Sequence, residues 1–248
     1  MITSRPALDH LVVDERAIIV GDRDGQSLKW YGQDGRYDRS ATVPVILNKR
    51  LRIHGDTVFA ELPPFGRDAS APDSFAVVMS IDGELEPVFT ILKQIYPRTP
   101  SGSVMVGRDE ARPKWDVQGR CLVLNDGHHP TILYHDRSTG ATDSISFEMP
   151  EYAFPEADVQ EFPRGIRMPP YERLGRFRDL VIDPSGAVWL DINAVDATDS
   201  HFVARVMPDG SVAFDTLPTF PRAFASNGRI YGVKITSQQG EVQVQAVK

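Results

Sequence analysis

The chain has 248 residues, with 27 Lys and Arg against 34 Asp and Glu, so its formal net charge is −7. That balance gives no long-range attraction to nucleic acid or anionic lipid, and the single cysteine, Cys121, cannot close an internal disulfide. The 41% hydrophobic and 25% charged fractions are those of a soluble, folded globular chain, and 19 Gly with 19 Pro favour many short strands over long helices.

Taken in chain order, the first element is a strand–turn–strand unit, LVVDERAIIVGD (Leu11 to Asp22). SLKWYGQDGRYDRSATV follows as two further strands bent at Asp34-Gly35. The second unit is LRIHGDTVFAEL (Leu51 to Leu62), turning at His54-Gly55-Asp56, and is followed by SFAVVMSIDGELEPVFT with its bend at Asp82-Gly83. Its run Phe75 to Met79 is the longest purely apolar one, far short of the roughly 20 residues of a membrane-spanning helix. An irregular stretch, Lys93 to Arg112, then precedes WDVQGRCLVLND (Trp115 to Asp126), which turns at Gln118-Gly119-Arg120. ILYHDRSTGATDSISFEM adds two strands bent at Thr139-Gly140.

A second irregular stretch, Glu151 to Arg176, carries Pro155, Pro163, Pro169 and Pro170, which exclude a continuous helix but leave room for a short one over Pro155 to Phe162. The fourth unit, LVIDPSGAVWLD (Leu180 to Asp191), turns at Asp183-Pro184-Ser185-Gly186, and HFVARVMPDGSVAFDTL follows with a bend at Asp209-Gly210. The fifth, AFASNGRIYGVK (Ala223 to Lys234), turns at Asn227-Gly228-Arg229 and runs out after about half a unit. The Gly, Asn and Asp at these turns tolerate positive φ.

Four strands joined by three turns form one antiparallel meander, and a meander with apolar residues on both faces must stack on copies of itself. That is the arrangement of β-propeller blades. The hairpins begin at 11, 51, 115, 180 and 223, giving spacings of 40, 64, 65 and 43. Two match a blade of roughly 40 to 45 residues; the other two carry the insertions at about 93–112 and 151–176. A β-sandwich would not repeat one signature five times in the same order, and a parallel α/β fold needs amphipathic helices that the chain lacks. The expected fold is therefore an all-β propeller of four-stranded antiparallel blades, a single domain over 1–248 with five readable repeats.

The stretch GRFRDLVIDPSGAVWLDI, followed by HFVARVMPDGSVAFDTLP and GRIYGVKITSQQGEVQVQAVK, resembles the carboxy-terminal end of bacterial six-bladed β-propellers of the NHL-like or TolB-like kind. It pairs a D-x-x-G-x-x-W hairpin with a D-G outer hairpin and a short closing blade. The resemblance covers residues 176–248 and elsewhere reduces to blade pattern. It implies six blades and a periplasmic or cell-envelope location. The amino terminus departs from it: MITSRPALDH lacks the basic start and apolar core of a secretory signal, so the sequence as it stands reads as cytoplasmic, with the first blade short or missing. Met1 to His10 is expected to supply a closing strand, unless the chain is truncated.

Binding groups in propellers gather where each blade contributes a loop to one mouth. The residues at the ends of the second strands are Asp22, Glu61, Asn125, Asp126, His128, His129, Asp191 and Asn193. Their oxygens suit a hard cation such as Ca²⁺, with Asp22, Glu61, Asp126 and Asp191 as its ligands if a metal is present. The imidazoles suit a softer metal or a general base. Against this, Asp and Asn after a strand are ordinary turn residues, and adjacent residues of an extended chain point to opposite sides, so His128 and His129 would not share a metal.

The metal, nucleophile and phosphate motifs with fixed spacing are all missing, and Gly21 to Gly25 lacks the rest of an EF-hand. Trp30, Trp115 and Trp189 lie in strand patterns and are expected to pack between blades, with Cys121 as a small buried hydrophobe. Arg164, Arg167, Arg173, Arg176 and Arg178 make the second insertion locally basic and able to draw an anionic ligand. Residues Pro163 to Tyr171 are the expected apolar patch if the chain is a protein-interaction platform. The functional expectation is a non-catalytic propeller binding a small molecule or a protein, without a cofactor. The alternative is a calcium-dependent, lactonase-like hydrolase with its metal in the central channel.

Overall fold

A computed structural model describes residues 8–13, 18–22, 27–42, 51–54, 57–62, 75–79, 85–90, 113–150, 161–162, 166–167, 175–194, 200–224, 228–236 and 241–246. The chain divides into two compact units, Met1–Ile95 and Tyr96–Lys248. Among the described residues there are strands and turns and no helix.

The first unit holds two four-stranded antiparallel meanders. One is β1 (Leu8–Val13), β2 (Ile18–Asp22), β3 (Ser27–Tyr31) and β4 (Tyr37–Thr42); the other is β5 (Leu51–His54), β6 (Thr57–Leu62), β7 (Phe75–Met79) and β8 (Leu85–Thr90). In both, neighbours in sequence are neighbours in the sheet, as short turns between antiparallel strands dictate. β1 begins three residues before the predicted hairpin: His10 pairs with Gly21 and Leu8 with Asp22 across a bulge. Leu8 to His10 are therefore the first turn-distal end of this blade and not a separate closing strand; Met1 to Ala7 lie outside the described residues.

The second unit has a meander of β9 (Lys114–Gln118), β10 (Cys121–Asn125), β11 (Thr131–Asp136) and β12 (Thr142–Ser146). A two-stranded hairpin, β13 (Glu161–Phe162) with β14 (Ile166–Arg167), forms inside the second insertion. Glu161 and Phe162 are thus extended, at the end of the stretch Pro155 to Phe162 that the prolines left open to a short helix; the rest of that stretch falls outside the described residues, as does the first insertion. A second meander comprises β15 (Phe177–Ile182), β16 (Val188–Ile192), β17 (His201–Val206) and β18 (Val212–Leu217), and β19 (Pro221–Phe224), β20 (Ile230–Thr236) and β21 (Glu241–Ala246) form a three-stranded sheet. The last repeat is thus longer than the predicted half unit, because Glu241–Ala246 pairs along β20 from Tyr231 to Thr236.

The β15–β18 sheet shows why such meanders stack. Every residue of β16 is buried, so both of its faces are covered. Leu180, Ile182, Val188, Leu190, Ile192, Ala204 and Val206 pack with Val123, Ile132 and Phe147 of the β9–β12 sheet and its flank. The alternate residues Val181, Trp189, Val203 and Leu217 pack with Phe220 and, at its margin, Phe224 and Ile230. Strand geometry sends successive side chains to opposite faces, which divides the apolar residues between the two neighbouring sheets. The outermost strands β4 and β12 are largely exposed, and their charged and hydroxyl side chains suit an edge that must not pair with another chain. Trp30, Trp115 and Trp189 are all buried, as expected of residues filling the space against a sheet.

Candidate functional site

At the turn end of the β15–β16 hairpin, Asp183 organises the D-x-x-G-x-x-W motif. It is 4% exposed. Its Oδ1 accepts from the Ser185 N–H, the Ser185 hydroxyl and the Ala187 N–H; its Oδ2 accepts from Trp189 Nε1 and Arg205 Nη2. Burial pushes this carboxyl up, but the bonds from Ser185, Trp189 and Ala187 outweigh it and hold the group below the usual range. The motif is thus a structural latch, with Gly186 at φ 86° completing the turn.

The predicted site residues of the second unit lie on two sheets, with Asn125, Asp126, His128 and His129 at the end of β10 and after it, and Asp191 and Asn193 at the end of β16 and after it. Asn125 ends β10 fully buried. Its Nδ2 donates to the carbonyls of His129 and Thr131, and its Oδ1 accepts from the Gly127 N–H. All of its hydrogen-bonding atoms therefore brace the loop between β10 and β11. Asp126 shapes the same loop: its Oδ1 accepts from the N–H groups of His128 and His129, and its Oδ2 lies 2.5 Å from His129 Nδ1. Burial raises its pKa, but the His129 ring and the two backbone donors together lower it below the ordinary value. This turn also places the two imidazoles side by side, with ring centroids 4.7 Å apart. The expectation of opposite sides assumed extended backbone; the loop folds both N–H groups onto one carboxylate oxygen instead.

Gly127, at φ 85°, ties this loop to the next sheet. Its carbonyl accepts from the Arg176 N–H at 2.8 Å and the Phe177 N–H at 3.3 Å. Arg176 in turn accepts at its carbonyl from the Asn193 N–H, while Asn193 Nδ2 donates to the Gly175 carbonyl. Arg178 Nε donates to Asn193 Oδ1. The 125–131 loop, the 175–178 segment and Asn193 thus form one hydrogen-bonded platform across the seam between two sheets. His129 stands out from it with 55% of its side chain exposed, and Arg178, bonded to Asn193, is exposed as well.

Asp191 lies two residues before Asn193 and is 3% exposed. Its Oδ2 is 2.9 Å from Nδ1 of His201, which sequence reading did not single out. The β16–β17 register pairs Asp191 with Val203, so His201, two residues earlier, shares its face. That pairing, not any local motif, was the signal that could have found it. Asp22 ends β2 and Glu61 lies within β6, both in the first unit; their side chains are outside the described residues, as are Asp24 and Gly25 of the calcium-loop-like stretch. No group of three or more His, Cys, Asp or Glu able to hold a metal occurs among the described residues. No described helix is long and apolar enough to cross a membrane.

Cys121 is half-buried and packs at the margin of the core. Burial and the Asp136 charge raise its thiol pKa against the opposing pull of Arg120.

No known family profile matches the chain, and no curated protein matches it. Solved structures do, and they are β-propeller-like proteins. A member of the DUF4221 family from Bacteroides vulgatus aligns with TM-score 0.54 at 11% identity, over 94% of this chain and 76% of that one. A streptogramin B lyase aligns with TM-score 0.45 at 13% identity, over 98% and 70%. Virginiamycin B lyase from Staphylococcus aureus aligns with TM-score 0.45 at 11% identity, over 96% and 83%. The first of these likenesses, with the repeated four-stranded antiparallel sheets, makes this an all-β protein of the propeller class.

Proposed function

We propose that the chain is a binding propeller that takes a small anionic ligand on the platform formed by the 125–131 loop, the 175–178 segment and Asn193. The observation that carries this reading is the set of hydrogen bonds joining Gly127, Arg176 and Asn193, which fixes exposed His129 and Arg178 on a rigid base. A preorganised base lowers the ordering cost of binding. Imidazole and guanidinium donors match carboxylate or phosphate oxygens. The six-bladed NHL-like or TolB-like kinship belongs with this proposal, since propellers of that kind bind at loop-lined mouths.

The alternative is a calcium-dependent hydrolase, for which Asp126 and Asp191 are the candidate oxygen ligands of the second unit. In its favour, Asp191 Oδ1 is buried with no hydrogen-bond partner. Against it, both Asp126 oxygens already serve the 125–131 loop and His129.

Melting curves separate the two readings. With citrate as an anionic probe at fixed ionic strength, the wild-type melting temperature is expected to rise and that of Arg178→Ala to stay flat. Equal rises in both proteins would overturn the platform. A rise with CaCl₂ that EDTA reverses would favour the hydrolase.

A further inference from the structure

Two neighbouring strands of the second unit bulge at an arginine. In β15, Phe177 pairs with Ile192 and Asp179 with Asp191, so Arg178 is the extra residue. In β19, Pro221 pairs with Gly232 and Ala223 with Tyr231, so Arg222 is the extra residue. A bulge leaves one residue outside the ladder and re-aims its side chain, and bulges are enriched beside active sites.

The two arginines are then held differently. Arg222 pairs with the Asp179 carboxylate, which compensates its charge. Arg178 is exposed, and its Nε donates to Oδ1 of Asn193 at 2.9 Å. An amide oxygen accepts that bond without bringing a negative charge. Among the other described side chains, Arg36, Arg120 and Arg205 are paired with aspartates, as Arg222 is, and Arg39, Arg52, Arg137, Arg176 and Arg229 are engaged by other groups. Arg178 keeps Nη1 and Nη2 without a partner among the described residues. Asn193 is itself fixed twice, its N–H donating to the Arg176 carbonyl and its Nδ2 to the Gly175 carbonyl. The guanidinium is therefore held along one edge by an anchored neutral group, with its terminal edge left over.

We propose that Arg178 reads a carboxylate of the ligand end-on, Nη1 and Nη2 each donating to one carboxylate oxygen, and that Asn193 is the positioning residue that sets this fork. The proposal rests on the anion-binding platform and deepens it by naming the ligand group and how it is held. Two parallel N–H bonds from a planar fork match the two oxygens of a carboxylate. The charges match as well: one uncompensated guanidinium meets one negative charge, whereas a phosphate group carries about −1.5 to −2 and would stay partly uncompensated. Tying Nε in advance removes part of the ordering cost of binding. An aspartate at position 193 would instead neutralise Arg178, as Asp179 neutralises Arg222.

The test is calorimetric titration of the full chain at neutral pH and matched ionic strength, with citrate and inorganic phosphate as probes. Citrate is expected to saturate and phosphate to bind at least about tenfold more weakly; phosphate binding as tightly as citrate overturns the carboxylate assignment. Arg178→Lys keeps the charge but loses the fork, and is expected to lose citrate affinity as fully as Arg178→Ala, by about tenfold or more. If Arg178→Ala loses affinity and Arg178→Lys keeps it, the platform stands and the fork is overturned. If Arg178→Ala binds like wild type, the platform fails and the fork with it. Asn193→Asp retains an acceptor for Arg178 Nε, and is expected to weaken citrate binding by about tenfold with a largely unchanged melting curve. Undiminished affinity in the folded variant overturns the role of Asn193. If Asn193→Asp does not fold, Arg178→Lys decides, because Arg178 is exposed.

Discussion

Replacing Asp183 by Ala tests whether the D-x-x-G-x-x-W hairpin is held by its carboxylate. The change strands two buried donors, Trp189 Nε1 at 3.0 Å and the Ala187 N–H at 3.1 Å. Each buried donor left without a partner costs about 1–3 kcal/mol, so the two together cost about 4 kcal/mol. The Ser185 donors are part-exposed and turn to water. Arg205, with 38% of its side chain exposed, is resolvated and adds little. For a chain of this size about 4 kcal/mol lowers the melting temperature by about 8–16 °C. Urea unfolding followed by tryptophan fluorescence reads the loss as a lower midpoint at unchanged slope. A loss under about 1 kcal/mol would refute the reasoning, since it would mean that water or neighbouring groups satisfy both donors.

The same carboxylate predicts a pH dependence. Its folded pKa is lowered, because the Ser185, Trp189 and Ala187 bonds outweigh burial, so its contribution is complete above the unfolded value of about 3.9 and is lost as pH falls through the folded one. The stability gap between wild type and Asp183→Asn should therefore hold steady from about pH 7 to 5 and close below about 4; a gap that narrows between 7 and 5 contradicts this. Tyr134 Oη is buried with no partner, and burial followed by the Cys121 and Asp183 charges pushes its pKa up to about 12. Tyr134→Phe removes that polar atom and is expected to raise stability by about 1 kcal/mol, with destabilisation as the contrary result. Cys121, its thiol raised by burial and Asp136, should react with a disulfide reagent at neutral pH far more slowly than free cysteine; an equal rate would contradict that placement.

The blades were legible because their cause is local. Alternating apolar residues with Gly, Asn or Asp turns specify each hairpin within a dozen residues, and the pairings β1–β2, β5–β6, β9–β10, β15–β16 and β19–β20 follow that pattern. The strand at Glu241–Ala246 alternates cleanly, Val242, Val244 and Ala246 against Glu241, Gln243 and Gln245, but what makes it a further strand of the last sheet is its pairing along β20.

The site was legible only in part. Asn125, Asp126, His128, His129, Asp191 and Asn193 stand out as polar residues closing second strands, but sequence does not tell a brace from a binding group. Asn125 is a brace because its amide finds three backbone partners in its own loop. His201 and Arg222 escaped notice because Asp191 meets His201 through sheet register, and Asp179 meets Arg222 across 43 residues of chain.

Calorimetric titration of citrate into wild type and Arg178→Ala, at matched ionic strength, tests the binding platform most directly. The account predicts saturable heat for wild type and at least a tenfold weaker response for the variant, about 1.4 kcal/mol for one lost charge-assisted contact. Identical isotherms for the two proteins, or no heat for either, would contradict it.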